Sequence, residues 1–378
     1  MKKLALALTF ACLLGPASTR AQNAYITNQN SGTVSVIDTA TDTVIATIPV
    51  GIAPFGVAVS PDGSKVYITN GISNTVSVID TATNTISATI PVGFNPVGTA
   101  VSPDGSKVYI THEFLNTVSV IDTATNTVIG SPIPVGRAPL GVAVTSDGSK
   151  VYVGNNGAGT VSVIDTATNT AGATIPVGPN PFGMAVSPDG SKVYVTSALP
   201  PIVSVVDTAT NTVGATIPVG PNPFGVAASP DGSKVYVTDG FFPISVSVID
   251  TATNTVGATI PVPPFGAAGV AVKPDGSKVY VTSRFANTVS VIDTATNTVI
   301  GSPIPVGVGP VAFGVFIQPP RAGQPPPSFA GVAGSKNCHG TSVSALATKF
   351  GGLDAAAAAL GFSNVQGLQD AIRAFCAG

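Results

Sequence analysis

The stretch "SPDGSKVYITNGISNTVSVIDTATNTISATIPVG" at residues 60–93 decides the fold. Within it, "KVYIT" and "TVSVID" alternate apolar and polar residues, which is the period of a β-strand. "SPDG" and "DTATN" separate these runs, and their Pro, Asp, Gly and Asn residues favour turns. Near-copies recur along the chain, and every tyrosine occupies the same position of one copy: Tyr25, Tyr67, Tyr109, Tyr152, Tyr194, Tyr236 and Tyr280.

Each copy predicts four short strands, the pattern of one β-propeller blade. Strands two to four occur seven times, from 24–28 onward, and first strands also occur seven times, the last at 313–317. The chain thus starts with a blade that lacks its first strand and ends its repeats with a lone first strand. We expect 313–317 to pair with 24–50, because closure of the ring removes exposed strand edges. The fold class predicted is an all-β, seven-bladed propeller.

The motifs "KVYITN", "KVYVTD" and "AYITN" resemble the tyrosine–valine–threonine–asparagine (YVTN) β-propeller repeat family over roughly residues 23–318. The resemblance implies a seven-bladed propeller of the kind common in exported and surface proteins. It implies no single function, because propellers host many. Some similar propellers, the phosphogluconolactonase-like group, hydrolyse lactones with Glu, His and Arg side chains, although their blades are more divergent than these.

The segments outside the repeats predict export and a second module. Residues 1–21 combine a basic start, an apolar core and small residues before Gln22, as a signal peptide does, so we expect a periplasmic, secreted or cell-surface protein. No other stretch is long enough to span a membrane. Residues 319–332 form a Pro-rich linker, and 333–378 predict a small α-helical module. Its Cys338 and Cys376 would form a disulfide in an oxidising compartment.

The charge of the chain argues against nucleic acid as a partner. Only 9% of the residues are charged, and removal of residues 1–21 leaves 13 basic and 18 acidic side chains. A groove for single-stranded DNA needs basic residues and aromatic platforms, and the chain contains no Trp.

The repeated "DTATN" lacks the further carboxylates and the glycine of a calcium loop. We expect a monomer without metal or cofactor, in which the repeated Asp residues form turns.

The candidate binding residues lie where the copies differ. Loops after strands two and four open on one face of a propeller, here called the variable face, while the nearly constant "SPDG" and "DTATN" turns open on the other, the constant face. Binding residues concentrate in loops on rigid scaffolds. We predict that the variable face binds a protein, glycan or small ligand without catalysis, unless these are ordinary solvated loop residues: His112, Glu113, Phe114, Arg137, Asp239, Phe241, Phe242, Arg284 and Phe285.

An enzymatic alternative uses part of the same set. His112, Glu113 and Arg137 have the residue types of the lactone-hydrolysing propellers. The alternative requires these three side chains to converge on the propeller axis, although adjacent residues of a strand point to opposite sides. No nucleophile elbow, paired-His metal spacing or phosphate loop is present in the sequence.

Overall fold

A computed structural model describes residues 22–240, 244–262 and 266–319. In this part of the chain all regular structure is β, in 27 strands. The first three strands are β1 (Asn23–Asn28), β2 (Thr33–Asp38) and β3 (Thr43–Pro49). Blade 1 follows with β4 (Pro54–Val59), β5 (Lys65–Asn70), β6 (Thr75–Asp80) and β7 (Thr85–Pro91). Blade 2 contains β8 (Pro96–Val101), β9 (Lys107–His112), β10 (Thr117–Asp122) and β11 (Thr127–Pro134).

The remaining blades repeat this order. Blade 3 contains β12 (Pro139–Val144), β13 (Lys150–Asn155), β14 (Thr160–Asp165) and β15 (Thr170–Pro176). Blade 4 contains β16 (Pro181–Val186), β17 (Lys192–Ser197), β18 (Ile202–Asp207) and β19 (Thr212–Pro218). Blade 5 contains β20 (Pro223–Ala228), β21 (Lys234–Asp239), β22 (Ser245–Asp250) and β23 (Thr255–Pro261). Blade 6 contains β24 (Ala267–Val272), β25 (Lys278–Ser283), β26 (Thr288–Asp293) and β27 (Thr298–Pro305).

Every blade is an antiparallel sheet whose strands follow one another in sequence order. In blade 1, Tyr67 lies opposite Val78 and Ile68 opposite Ser77. The second and third strands are buried on both faces, because another blade covers each face, whereas the fourth strand is largely exposed at the perimeter. The first strands of neighbouring blades contact each other and surround the axis.

The predicted closure of the ring is confirmed. The Tyr25 backbone N–H donates to the Phe316 carbonyl oxygen at 2.8 Å, and Ala24 and Ile317 form an antiparallel bridge. The Gln318 N–H donates to the Asn23 carbonyl oxygen at 2.9 Å. The segment 310–318 therefore serves as the first strand of a seventh blade whose other strands are β1–β3. The fold is an all-β propeller of seven blades.

The tyrosines and lysines of the repeat join each blade to the next. Tyr152 Oη donates to Asn211 Oδ1 at 2.7 Å, and Lys150 Nζ donates to the Thr208 carbonyl oxygen at 2.6 Å. The acceptors belong to the "DTATN" turn of the following blade. All seven tyrosine side chains are fully buried, which confirms that they pack between blades.

The repeated aspartates have the predicted turn-forming role. Asp80 Oδ1 accepts hydrogen bonds from the backbone N–H groups of Ala82 at 2.9 Å and Thr83 at 3.0 Å. Asn84 then adopts φ 53°, a left-handed conformation that Asn tolerates. In the "SPDG" turns, the Ser102 hydroxyl and the Ser106 N–H lower the pKa of Asp104 to about 2. Both motifs use carboxylates to fix a turn.

In every blade except blade 3, a threonine of the second strand connects adjacent inner strands at the axis. Thr111 Oγ1 accepts from the Gly98 N–H at 2.7 Å and donates to the Leu140 carbonyl oxygen at 2.8 Å. A Cβ at Gly98 would clash with that carbonyl oxygen, so the inner strand requires glycine there. Blade 3 has Gly154 at the threonine position, and the Met184 side chain packs beside it.

Several predictions concern segments outside the described residues. They are the signal peptide 1–21, the greater part of the linker, the module 333–378 with Cys338 and Cys376, and the loop residues Phe241 and Phe242. Within the part of the chain that the structure describes, no helix is long and apolar enough to cross a membrane.

Candidate functional site

Two aromatic rings lie against each other on the variable face. Phe94 belongs to the loop between β7 and β8, and Phe114 to the loop between β9 and β10. Their ring centroids are 5.9 Å apart with an interplanar angle of 36°. Phe94 is nevertheless 55% exposed and Phe114 64% exposed, and the neighbouring Leu115 is also exposed. Side chains of this size in contact with water on adjacent loops are typical of a recognition surface.

The adjacent loops of blade 1 add two further exposed apolar side chains. Ile52 and Ile72 are 61% and 67% exposed, and the Ile72 N–H donates to the Ile52 carbonyl oxygen at 3.3 Å. The Asn95 N–H donates to Asn74 Oδ1 at 2.9 Å, which ties this pair of loops to the loop that carries Phe94. We call the resulting set the apolar patch: Ile52, Ile72, Phe94, Phe114 and Leu115.

His112 lies beneath this patch and is fully buried. Its Nε2 lies 2.9 Å from Ser119 Oγ, and its Nδ1 lies 3.3 Å from the carbonyl oxygen of Phe94. Burial lowers the pKa of the imidazole, against a smaller opposing effect of its hydrogen bonds to backbone carbonyl oxygens of the Phe94 loop. The corresponding residue of blade 1, Asn70, donates to both Thr75 Oγ1 and Ser77 Oγ, whereas His112 reaches only the second of the two corresponding hydroxyls, that of Ser119. His112 therefore supports the loop of Phe94 from within the core.

The other two residues of the lactonase hypothesis have separate partners. Glu113 Oε2 accepts from Asn95 Nδ2 at 3.0 Å, and Arg137 Nε donates to the Gly157 carbonyl oxygen at 3.1 Å. In the described structure no hydrogen bond or ion pair joins any two of His112, Glu113 and Arg137. His112 is fully buried, and the geometry of a site shared by the three residues is not observed.

The remaining predicted residues are divided between core and surface. Asp239 is fully buried, and Ser245 and Ser247 donate to its Oδ2 at 2.7 and 2.9 Å. Burial raises the pKa of this carboxyl, while the two serine hydroxyls partly offset the effect. Arg284 Nη2 donates to Gln29 Oε1 at 2.6 Å, across the junction between blades 6 and 7. Phe285 is 71% exposed on the variable face.

Four of the five patch residues lie outside the set predicted from the sequence. Ile52, Ile72, Phe94 and Leu115 stand in the loop sequences "GIAP", "GIS", "GFNP" and "HEFL". The signal that would have identified them is a large apolar residue in a loop otherwise composed of Gly, Asn, Ser and Pro. Only Phe114 is common to the predicted set and the patch.

At the axis, four phenylalanines close the variable-face end of the central channel. Phe55, Phe182 and Phe224 follow the first residue of their inner strands, and Phe313 occupies the closing segment. The centroid of Phe182 lies 3.9 Å from that of Phe224 and 5.2 Å from that of Phe313. Phe55 completes the cluster at 5.6 Å from Phe313. The repeated "PFG" in the sequence is the signal for this cluster.

Behind the phenylalanines, a cavity of about 330 Å³ lies on the axis toward the constant face. Its wall consists of inner-strand residues from the six complete blades and the closing segment, largely Ala and Val. Exposure to solvent increases toward the "SPDG" turns, where the last wall residues are partly or fully exposed: Val101, Val144, Val186, Ala228, Val272 and Val315. We call this cavity the axial pocket.

Metal ligands are not grouped in this part of the molecule. Among residues 22–240, 244–262 and 266–319, no three His, Cys, Asp or Glu side chains lie close enough to hold an ion. The carboxylates of the turns are occupied by backbone N–H groups and hydroxyls of their own turns.

Comparison with known proteins supports the fold. No family model matches the chain. A PE-PGRS family protein, PE_PGRS18 of Mycobacterium tuberculosis (strain ATCC 25618 / H37Rv), is 62% identical over 39 residues, which are 10% of this chain and 8% of that protein. The chain thus spans a small fraction of this curated relative.

Solved structures with the same architecture are more distant in sequence. Hydrazine synthase of Kuenenia stuttgartiensis has a TM-score of 0.63 and 24% identity, covering 68% of this chain and 87% of that one. A functionally unknown protein of Desulfotomaculum acetoxidans DSM 771 has a TM-score of 0.66 and 19% identity over 77% and 99% of the two chains. The dihydro-heme d1 dehydrogenase NirN has a TM-score of 0.58 and 16% identity over 76% and 74%. At these identities the similarity establishes the propeller fold alone.

Proposed function

We propose that the protein is an exported binding scaffold whose variable face recognises a partner protein through the apolar patch. The observation that carries the proposal is the exposed Phe94–Phe114 pair, flanked by Leu115 and by Ile52 and Ile72 of the adjoining loops. Aromatic residues are enriched at the centres of protein interfaces and dominate their binding energy. The apolar character of the patch favours a protein over a charged ligand.

The rigidity of the scaffold supports the same function. The Asn95 and Asn74 contact, the Glu113 and Asn95 contact and the buried His112 all fix the loops that carry the patch. Loops that are held in one conformation before binding lose little conformational entropy in a complex. The proposal requires no catalytic group, and the activities of the structural neighbours are not transferred to this chain.

The test is a comparison of variants on two exposed apolar surfaces. Phe94→Ser and Phe114→Ser are combined in one variant, and Ile45→Ser is the control, because Ile45 is 51% exposed on the perimeter strand β3. Each full-length chain is cross-linked in the secreted and periplasmic fractions of its producing cells, and bound proteins are identified by mass spectrometry. We expect one partner to be recovered by the wild type and the control and lost from the double variant. Recovery of the same proteins by all three would refute the proposal.

A further inference from the structure

The axial pocket is separate from the variable face and has no role in the proposed function. Phe55, Phe182, Phe224 and Phe313 stand between the two, so a ligand in the pocket would enter from the constant face. Within the sheets, each inner strand pairs only with the second strand of its own blade, so its other edge faces the axis, and the side chains that line the wall are largely Ala and Val. Cavities of about 300 Å³ and above that are lined by apolar groups are typical of small-molecule sites.

Thr99 and Met184 break the repeat at one position of the wall, and of these two Thr99 carries a hydroxyl. The corresponding residues of four other blades are Val57, Val142, Val226 and Val270, of which the last three line the pocket. Thr99 is 3% exposed, and its Oγ1 has no hydrogen-bond partner in the described structure. An unsatisfied buried hydroxyl is costly, so a group that accepts its hydrogen bond would be stabilising there.

The rim of the pocket determines the charge that a ligand can carry. The "SPDG" turns of consecutive blades touch, as where Pro61 faces Gly105 and Pro188 faces Gly232. Turn hydroxyls and N–H groups lower the pKa of Asp104 and of Asp189 to about 2, so these carboxylates are ionised at neutral pH. Lys273, the lysine of one turn, is paired with Asp275 at 2.7 Å. The rim therefore repels anions.

The volume limits the size of the occupant. An apolar cavity on the order of 150 Å³ holds a benzene-sized molecule, and the axial pocket has about twice that volume at 330 Å³. The phenylalanine cluster makes the channel blind, so an extended peptide could not pass through it. The space suits a molecule of about ten non-hydrogen atoms.

We propose that the axial pocket is a binding site, open on the constant face, for a small uncharged hydrophobic molecule with one oxygen that accepts a hydrogen bond from Thr99. A medium-chain ketone or ester has this chemistry. Its chain would contact the Ala and Val side chains of the wall, and its oxygen would satisfy the Thr99 hydroxyl. A fatty acid of the same length is disfavoured by the carboxylates of the rim.

The test is titration calorimetry of the full-length protein with 2-nonanone and, separately, with nonanoate. We expect saturable binding of the ketone and at least about tenfold weaker binding of the anion. Thr99→Val places the residue of the other blades in the wall and should weaken ketone binding about five- to tenfold by removing the hydrogen bond. Ala185→Leu, at a partly exposed wall position, should weaken it further by filling the pocket.

Phe114→Ser is the control, because it changes the variable face and should leave ketone binding intact. This control separates the pocket from the proposed partner site, so either proposal can fail alone. Absence of saturable ketone binding would overturn the inference, as would equal affinity in wild type and Ala185→Leu with unchanged circular dichroism. Thr99→Val introduces the residue that four other blades have at this position. Ketone binding that is unaffected by this substitution would overturn the assignment of the hydrogen bond.

Discussion

Asp42 and Lys278 form an ion pair across the junction that closes the ring. Asp42 Oδ2 lies 2.7 Å from Lys278 Nζ, although the two residues are 236 positions apart. Tyr280 Oη donates to the other carboxylate oxygen of Asp42. Burial, together with the Asp42 carboxylate, raises the pKa of Tyr280, so the hydroxyl remains a donor. In the other six copies of this turn, Asn occupies the position of Asp42. Among the junctions between blades, the one that closes the ring is therefore the one with an ion pair at this position.

Asp42→Asn should therefore destabilise the propeller by about 1 kcal/mol, because both side chains are mostly shielded from solvent and the pair is lost. The measurement is urea unfolding at low and at high salt. The stability difference should shrink with salt, since screening weakens the wild-type pair. Asn84→Asp is the control, because it places the same carboxylate in the corresponding turn of blade 1. The strand that faces this turn begins with Asn23, where other blades have lysine, so the new carboxylate has no lysine partner. An Asp42→Asn variant as stable as the wild type at low salt would contradict this role.

Asp239→Asn should stabilise the protein at neutral pH. The folded-state pKa of Asp239 is raised, so the wild type is most stable below the ordinary aspartate pKa of about 4 and loses stability as pH rises through the folded value. An amide carries no charge and can donate to the serines as Asn70 does in blade 1. We expect a gain in the free energy of unfolding at pH 7 that shrinks toward pH 4.

The measurement for Asp239→Asn is the free energy of unfolding across pH 3–8 for wild type and variant. Subtracting the two curves removes the turn aspartates, whose pKa values are lowered and which titrate at more acidic pH. A difference that is constant across this pH range would show that Asp239 is not a strained buried acid.

His112→Asn should also stabilise the fold, and more strongly in acid. In blade 1, Asn at this position donates to two hydroxyls. In blade 2, where the residue is His112, the Thr117 hydroxyl has no hydrogen-bond partner in the described structure. The lowered pKa of His112 means that the wild type is fully stable above the ordinary histidine pKa of about 6.5 and loses stability as pH falls below it. Thermal unfolding at pH 5 and pH 8 checks this: the gain should be larger at pH 5.

The same variant tests the lactonase alternative. Because Asn restores the residue of the repeat, His112→Asn should remain folded, and a loss of activity could not be ascribed to unfolding. We expect no lactone turnover above background in wild type or variant. Turnover that is present in the wild type and abolished in His112→Asn would instead favour the enzyme.

Thr111→Val should destabilise the propeller by about 2 kcal/mol. The hydroxyl joins the Gly98 N–H to the Leu140 carbonyl oxygen inside the core, and valine leaves both groups unsatisfied. Thr111→Ser is the matched control, since it keeps the hydroxyl. Chemical denaturation of the two variants measures the difference, and equal stability of Val and Ser variants would contradict the bridging role.

The fold could be predicted from the sequence because each repeat agrees with the others. The period of two in "KVYIT", the turn chemistry of Asp80 and the lone first strand at 313–317 independently indicate a closed ring. Closure by 310–318 follows from the count of strands, and the turn role of Asp80 follows from local chemistry.

The candidate site was harder to predict, because variation in a repeat does not distinguish surface from core. His112 and Asp239 differ from the Asn of other copies, yet both are buried, since neighbouring blades cover both faces of each sheet. The alternation that marks an exposed face elsewhere is therefore uninformative at the ends of second strands. Phe94 and Ile72 contact solvent because of loop geometry, which the repeat pattern does not encode.

Hydrogen–deuterium exchange of the protein with and without its captured partner tests the central claim most directly. If the apolar patch is the recognition surface, exchange should slow in the loops 51–53, 71–74, 93–95 and 113–116. The "SPDG" turn at 60–63 on the constant face should exchange at an unchanged rate. Protection confined to the constant-face turns, with no change around Phe94 and Phe114, would contradict the account.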